Sequence, residues 1–215
     1  MMLTLSERKG LPIKFGTDGW RAIIGEEYTS CNVRLCAQGV ADLFKIHEKK
    51  SRPLVIGYDT RFRSEEFAAE VAEVSTSNGI FTLLANRPSP TPVVSHNLVA
   101  RNAGGGIIIP ASHNPAHWNG FKYKPDYGGS ASPEVVTELE TLIAKAEESK
   151  TVESMPLVEA KRKNLFEFFD PQPSYLQHIE SLVDLSAIRE SGIKIIVDPM
   201  FGAGAGYFEK VLKGG

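Results

Sequence analysis

A serine next to a histidine, held between two prolines, is the part of this 215-residue sequence that is best suited to chemistry. The segment Pro110–Pro115 reads Pro-Ala-Ser-His-Asn-Pro, so Ser112 supplies a hydroxyl and His113 an imidazole. The prolines restrict the backbone on both sides, and Asn114 favours a turn before the second proline. We therefore expect a stiff loop that presents the hydroxyl to a ligand.

Three interpretations of this loop are open from its residues alone. It could be an ordinary turn, because serine, asparagine and proline all favour turns. It could hold the nucleophile of a serine hydrolase, but it does not match the Gly-x-Ser-x-Gly elbow. Adjacent residues of an extended loop also point apart, which places His113 poorly as a base for Ser112. The third interpretation is a serine that carries a phosphoryl group.

The segment before the loop, Gly104–Ile109, is apolar and β-branched after its glycines and is typical of a buried strand. Ser112 then follows the carboxyl end of a strand, which is where open α/β sheets bind ligands. Strand-like and helix-like segments alternate along most of the chain. This alternation predicts an α/β fold of three layers, in which a sheet is covered by helices on both faces.

Two prolines in Asp170–Pro173 interrupt this pattern and predict a domain boundary. We therefore divide the chain into a first domain, residues 1–170, and the beginning of a second α/β domain, residues 171–215. A strand over Ile193–Val197 and a tight glycine-rich turn over Gly202–Gly206 would open the second domain. A lone strand and helix cannot close a core, so we expect the chain to be an N-terminal fragment.

The charge and the apolar segments of the sequence argue against several classes of binding partner. The formal net charge of −2 argues against a nucleic-acid partner and against a polybasic membrane binder. No apolar segment is long enough to span a bilayer, and the first ten residues lack the apolar core of a signal peptide. We expect a cytoplasmic globular protein with no membrane partner.

The serine loop resembles the phosphoserine loop of the α-D-phosphohexomutases, the phosphoglucomutase/phosphomannomutase superfamily. Three other segments are similar to motifs of this family and follow its order. They are Phe15–Arg21 (Phe-Gly-Thr-Asp-Gly-Trp-Arg), Gly57–Arg61 (Gly-Tyr-Asp-Thr-Arg) and Asn119–Lys122 (Asn-Gly-Phe-Lys). The sequence departs from the family at Pro110, where threonine is usual, and at Ala22, where glycine is common.

The resemblance implies an intramolecular phosphotransferase. It would interconvert hexose 1-phosphate and hexose 6-phosphate through a phosphoserine and a bisphosphorylated sugar. The residues that the resemblance assigns to catalysis are Ser112, His113, Lys122 and Arg21. Those that it assigns to substrate binding are Gly19, Asn114 and Arg21. Hexose phosphate is therefore the expected partner.

The resemblance also implies Mg²⁺, held by the phosphoserine and by three aspartates of an Asp-x-Asp-x-Asp-Arg loop. The sequence does not contain that loop, so Ser112 is the one metal ligand that we expect here. For the same reason we expect the chain alone to be inactive as a mutase. The alternative function is a non-catalytic phosphate-binding or assembly module.

Overall fold

The computed structural model describes residues 2–4, 13–16, 18–149 and 151–213. Thr17, which belongs to the motif Phe15–Arg21, lies outside the described residues, as do most of the first ten residues. The strands are β1 (Met2–Thr4), β2 (Trp20–Ile23), β3 (Leu54–Tyr58), β4 (Thr82–Ala85), β5 (Gly105–Ile109), β6 (Trp118–Pro125), β7 (Thr151–Glu153) and β8 (Phe166–Phe169). The helices are α1 (Ser30–Ile46), α2 (Ser64–Ser77), α3 (Thr91–Ala100), α4 (Pro133–Ser149), α5 (Leu157–Arg162), α6 (Gln172–Leu182), α7 (Leu185–Glu190) and α8 (Tyr207–Val211).

Six strands form one mixed sheet in the order β2-β6-β5-β3-β4-β8. Strands β5, β3, β4 and β8 are parallel, and β6 and β2 extend the sheet beyond β5 in antiparallel register. The carboxyl ends of the four parallel strands therefore lie along one edge. The serine loop follows β5 at that edge, next to the loop that follows β3.

Small residues in the central strands let helices approach both faces of the sheet. A Cβ on Gly106 would lie 2.5 Å from the Leu98 side chain of α3. A Cβ on the preceding residue, Gly105, would lie 3.0 Å from the Phe44 ring of α1. Because successive residues of a strand point to opposite faces, α1 and α3 cover opposite sides. Helix α1 also packs against α2 and α4, and the predicted three-layer α/β fold is confirmed.

The predicted strand over Ile193–Val197 is wrong. This segment has no strand assignment and no strand partner among the described residues, and the Ile196 side chain is 96% exposed. A strand exists through its hydrogen bonds to a neighbour, so apolar, β-branched composition is not sufficient to form one. The glycine-rich turn over Gly202–Gly206 does precede a helix, α8.

None of the helices within the described part of the chain is both long and apolar enough to cross a membrane.

The Tyr28 ring is buried between the sheet and α2, where it contacts the Phe67 ring. Its hydroxyl donates a hydrogen bond of 2.6 Å to the carbonyl oxygen of Gly120 in β6. Replacement Tyr28→Phe removes the donor and leaves a buried acceptor with one partner fewer. We expect the free energy of unfolding, measured with urea, to fall by about 1 kcal/mol or more.

Tyr127→Phe is the matched control. The Tyr127 hydroxyl also donates to a backbone carbonyl, that of Ser130 at 2.7 Å, but the side chain is 61% exposed. Water can replace this donor, so we expect a change within about 0.5 kcal/mol. Equal losses in the two variants would show that burial of the Tyr28 hydrogen bond is not what stabilises β6.

Candidate functional site

Ser112 lies just beyond the carboxyl end of β5, on an exposed turn. Its φ of +51° is in the left-handed region, which costs a residue with a side chain about 1–3 kcal/mol. The hydroxyl oxygen lies 3.4 Å from Nδ1 of His113, which is longer than a strong hydrogen bond. A strained backbone of this kind persists only where contacts with neighbouring residues hold it in place.

The Arg61 side chain holds the backbone of the serine loop in place. Its Nη2 donates to the carbonyl oxygens of Ser112 at 2.9 Å and Asn114 at 2.6 Å. Its Nη1 donates to those of Pro115 at 2.8 Å and Trp118 at 3.2 Å. Hydrogen bonds from a charged donor are stronger than neutral ones, so one guanidinium fixes the course of the serine loop.

Asp59 positions Arg61 for these contacts. Strands β3 and β5 are adjacent and parallel, and the Asp59 N–H donates to the carbonyl oxygen of Ile109 at 3.1 Å. The Asp59 carboxylate lies 3.3 Å from Nε of Arg61 and accepts the hydroxyl of Ser64 at 2.7 Å. That hydroxyl in turn accepts Nδ2 of Asn119 at 2.9 Å. The loops after β3 and β5 and the start of β6 thus share one polar network.

Three cationic side chains lie beside the serine loop on one face of the sheet. Arg21 of β2 is directly opposite Gly120 of β6, and Lys122 and Lys124 follow Gly120 at alternate positions. Lys124 is opposite Gly106, and a Cβ on Gly106 would point toward Leu98 of α3. Residues that are opposite or two apart share a face, so all three cations lie on the α3 face.

Arg21 is joined directly to the serine loop. Its Nη1 donates to Oδ1 of Asn114 at 2.9 Å. Gly120 lies between the Arg21 side chain and the carbonyl of Pro110, where a Cβ would collide with both. The absence of a side chain at Gly120 lets the loop approach β2 and β6 this closely.

Lys122 and Lys124 are buried, each 6% exposed, and share the carboxylate of Asp18. Lys122 contacts one carboxylate oxygen, and Nζ of Lys124 lies 3.4 Å from the other. Burial raises the pKa of Asp18, but the hydrogen bond and charge of Lys122, with those of Lys124, outweigh burial and lower that pKa overall. Asp18 is therefore ionised near neutral pH.

Gly19 makes the turn that brings Asp18 to these lysines. Its φ is +104°, and a Cβ there would lie 2.5 Å from the carbonyl oxygen of Phe121 and 2.9 Å from Cγ of Lys122. A side chain at this position would displace the lysine stem. The absence of a side chain at Gly19 thus leaves the space that the Lys122 stem occupies beside Asp18.

The structure brings most of the residues predicted from sequence to one place. Ser112, His113 and Asn114 form the loop, Arg21 is hydrogen-bonded to it, and Lys122 lies on the same face of the sheet as Arg21. The structure adds four residues to this candidate site that have no role predicted from sequence, namely Asp18, Asp59, Arg61 and Lys124. Asp59 and Arg61 belong to the matched segment Gly57–Arg61, and Asp18 belongs to the matched segment Phe15–Arg21. Lys124 follows Lys122 by two residues, so the period of a strand places it on the same face.

The described residues do not form a magnesium site by themselves. Among them no group of three or more His, Cys, Asp and Glu side chains could hold a metal ion. Mg²⁺ requires an octahedron of oxygen ligands, and Ser112 offers one of them.

The chain resembles known sugar-phosphate mutases in sequence. Residues 12–150 match the family model described as phosphoglucomutase/phosphomannomutase, alpha/beta/alpha domain I. A phosphoglucomutase of Komagataeibacter xylinus is 28% identical over 214 residues, which are 93% of this chain and 38% of the relative. A phosphoglucosamine mutase of Finegoldia magna is 31% identical over 189 residues, 88% of this chain and 40% of the relative.

Solved structures agree with these relatives. A Thermus thermophilus protein described as a phosphomannomutase superposes with a TM-score of 0.82 at 28% identity, over 95% of this chain and 44% of its own. Parafusin, a phosphoglucomutase from Paramecium, has a TM-score of 0.83 at 20% identity and shows the same fold. The chain thus spans about 40% of the length of the relatives that it matches.

The family model covers well over half of the chain, and the matched residues include the serine loop and the cations Arg21, Lys122 and Lys124. The chain belongs to the phosphoglucomutase/phosphomannomutase family, and residues 12–150 are its α/β/α domain I.

Proposed function

We propose that this chain supplies the phosphoserine domain of a phosphohexomutase, which interconverts hexose 1-phosphate and hexose 6-phosphate. The observation that carries the proposal is the exposed Ser112 hydroxyl, presented beside the cations of β2 and β6. Relatives named as phosphoglucomutase and phosphoglucosamine mutase support a phosphorylated hexose as substrate.

The proposal concerns the full-length gene product, because the chain spans 38% and 40% of two of its relatives. We further propose that residues 171–215 begin a second domain and that residues 1–215 alone do not turn over substrate. Mg²⁺, which the phosphorylated Ser112 would help to hold, belongs to the same proposal.

In the resting enzyme Ser112 would carry the phosphoryl group. A hydroxyl of the hexose monophosphate attacks the phosphorus, the bond between phosphorus and the serine oxygen breaks, and a hexose bisphosphate forms. The sugar then returns its other phosphoryl group to Ser112, and the isomeric monophosphate leaves. Protons pass from the attacking hydroxyl to the enzyme and back to the leaving oxygen, for which Lys122 and His113 are the proposed groups.

Charge explains why these side chains favour the transfer. The transferring phosphoryl group spreads negative charge over its oxygens, so catalysis depends on cations fixed beforehand. Arg21, Lys122 and Lys124 contribute three positive charges, and Asp18 neutralises one of them. The remaining positive charge is held in a largely buried setting, where an anion gains more than it would in water.

We expect Ser112→Ala in the full-length gene product to abolish turnover and leave the fold intact, because the hydroxyl is exposed and only its backbone is held. Mass spectrometry of tryptic peptides should find phosphate on Ser112 in the wild type. Ser51→Ala, at an exposed turn on the opposite edge of the sheet, is the control and should keep full activity. Full activity of Ser112→Ala, with phosphate mapped to another residue, would defeat the assignment.

We expect Lys122→Met to lower kcat by a factor on the order of 10²–10⁴, the usual loss for an acid–base group. Lys124→Met is the matched control, because Lys124 shares the strand, the face and the Asp18 carboxylate. It lies two residues, or about 7 Å, farther from the serine loop, so its loss should cost much less. An equal loss of kcat in both variants would show that Lys122 contributes only positive charge and does not act as an acid–base group.

The depressed pKa of Asp18 predicts how stability depends on pH. An ionised Asp18 stabilises the fold above the ordinary pKa of 3.8, and this contribution is lost as pH falls through the lower folded pKa. Asp18→Asn should therefore unfold at lower urea than the wild type at pH 7, and the gap should close below pH 3.8. A gap that stays constant from pH 7 to pH 3 would show that the carboxylate charge is not responsible.

A further inference from the structure

We propose that Arg61 is the positioning residue of the phosphoryl-carrying serine: its guanidinium holds Ser112 in the left-handed conformation that exposes the hydroxyl. The catalytic meaning of this inference rests on the proposed function, but its geometry does not. The prolines on either side of the loop restrict its ends, and they do not by themselves require a positive φ at Ser112.

The donor set of Arg61 is fully used in this arrangement. A guanidinium has five N–H groups in one plane. The two Nη atoms donate to the carbonyl oxygens of Ser112, Asn114, Pro115 and Trp118, and Nε faces the Asp59 carboxylate. A lysine carries the same charge but only three donors on one atom, so it cannot hold four carbonyls that are spread along a loop.

The contacts begin at the reactive serine and continue along the segment that follows it. The Ser112 carbonyl is held directly, and those of Asn114 and Pro115 are held on the far side of His113. The backbone N–H groups of Ser112 and His113 find no acceptor among the described residues. Arg61 thus engages three carbonyls of the loop and that of Trp118, and the N–H groups of Ser112 and His113 stay available for phosphoryl oxygens.

Arg61 itself is kept away from the phosphoryl group by this role. Its guanidinium is committed to backbone carbonyls and to Asp59, whereas Arg21 bonds only the Asn114 side chain in the loop. The two arginines therefore have separate tasks, with Arg61 shaping the loop and Arg21 facing the ligand.

A matched control exists at the opposite edge of the sheet. Arg52 also donates to a backbone carbonyl, that of Asn102 at 2.9 Å, and to the Asn102 side chain and Asp126, each at 2.9 Å. Asn102 has a φ of +50°, so it shares the left-handed conformation of Ser112. Arg52→Lys removes a comparable fork without touching the serine loop.

The experiment measures amide hydrogen exchange and backbone couplings in the 215-residue chain. In Arg61→Lys the amides of Asn114 and Trp118, which donate within the loop to Ala111 and Pro115, should exchange roughly tenfold faster or more. The one-bond coupling between Cα and Hα of Ser112, which is smaller at positive φ than at negative φ, should rise toward a conformational average. In Arg52→Lys both quantities should match the wild type.

Exchange at Asn114 and Trp118 that stays near the wild-type rate in Arg61→Lys, or that rises equally in Arg52→Lys, would overturn the proposal. If Arg61→Lys does not fold, Asp59→Asn gives the second reading, because it frees Nε and should loosen the same amides to a smaller extent. Unchanged exchange there would overturn the proposal as well.

The full-length gene product separates this inference from the proposed function. Arg61→Lys should lower kcat and the occupancy of phosphate on Ser112, with little change in KM, because the ligand-facing cations remain. If the wild type never carries phosphate on Ser112 while the loop loosens as expected, the mutase proposal fails and the positioning role stands. If kcat falls while exchange is unchanged, the positioning role fails and the mutase proposal stands.

Discussion

The hydrogen bonds from the Arg61 guanidinium to the carbonyls of the serine loop are the interaction on which the site depends. Four carbonyl oxygens of the loop and of the first residue of β6 accept from this one charged group. Parallel pairing of β3 with β5 puts Arg61 within reach, and Asp59 turns its fork toward the loop. Without this contact, the strained backbone of Ser112 would have no support from β3.

On the face of the sheet that is covered by α3, one carboxylate only partly balances three cationic side chains. Burying two lysines is costly unless opposite charges compensate theirs, and Asp18 supplies a single carboxylate to both. The pair of lysines and Arg21 therefore keep an excess of positive charge beside the serine. This excess is a poor arrangement for stability alone and a favourable one for a phosphoryl group. The sheet positions the cations, because alternation along β6 and its pairing with β2 put them on one face.

Much of this arrangement follows from local sequence. Runs of β-branched residues predict β5 correctly, and with it the position of Ser112 past a strand end. The role of Arg61 could not be predicted, because its partners are more than fifty residues away and their proximity depends on the sheet order. The contacts of Asp18 could not be predicted for the same reason, because Lys122 and Lys124 are 104 and 106 residues away in sequence. The segment Ile193–Val197 shows the opposite failure, since its composition predicts a strand that no neighbour completes.

We propose that Ser112 passes a phosphoryl group to a sugar and recovers one. A single-turnover experiment measures this transfer: the full-length gene product, isolated with labelled phosphate on Ser112, is mixed with a hexose 1-phosphate and quenched at short times. We expect the label to leave Ser112 and to appear in hexose bisphosphate at least as fast as steady-state turnover. Label that stays on Ser112, with no bisphosphate formed, would rule out the transfer and favour a non-catalytic phosphate-binding module.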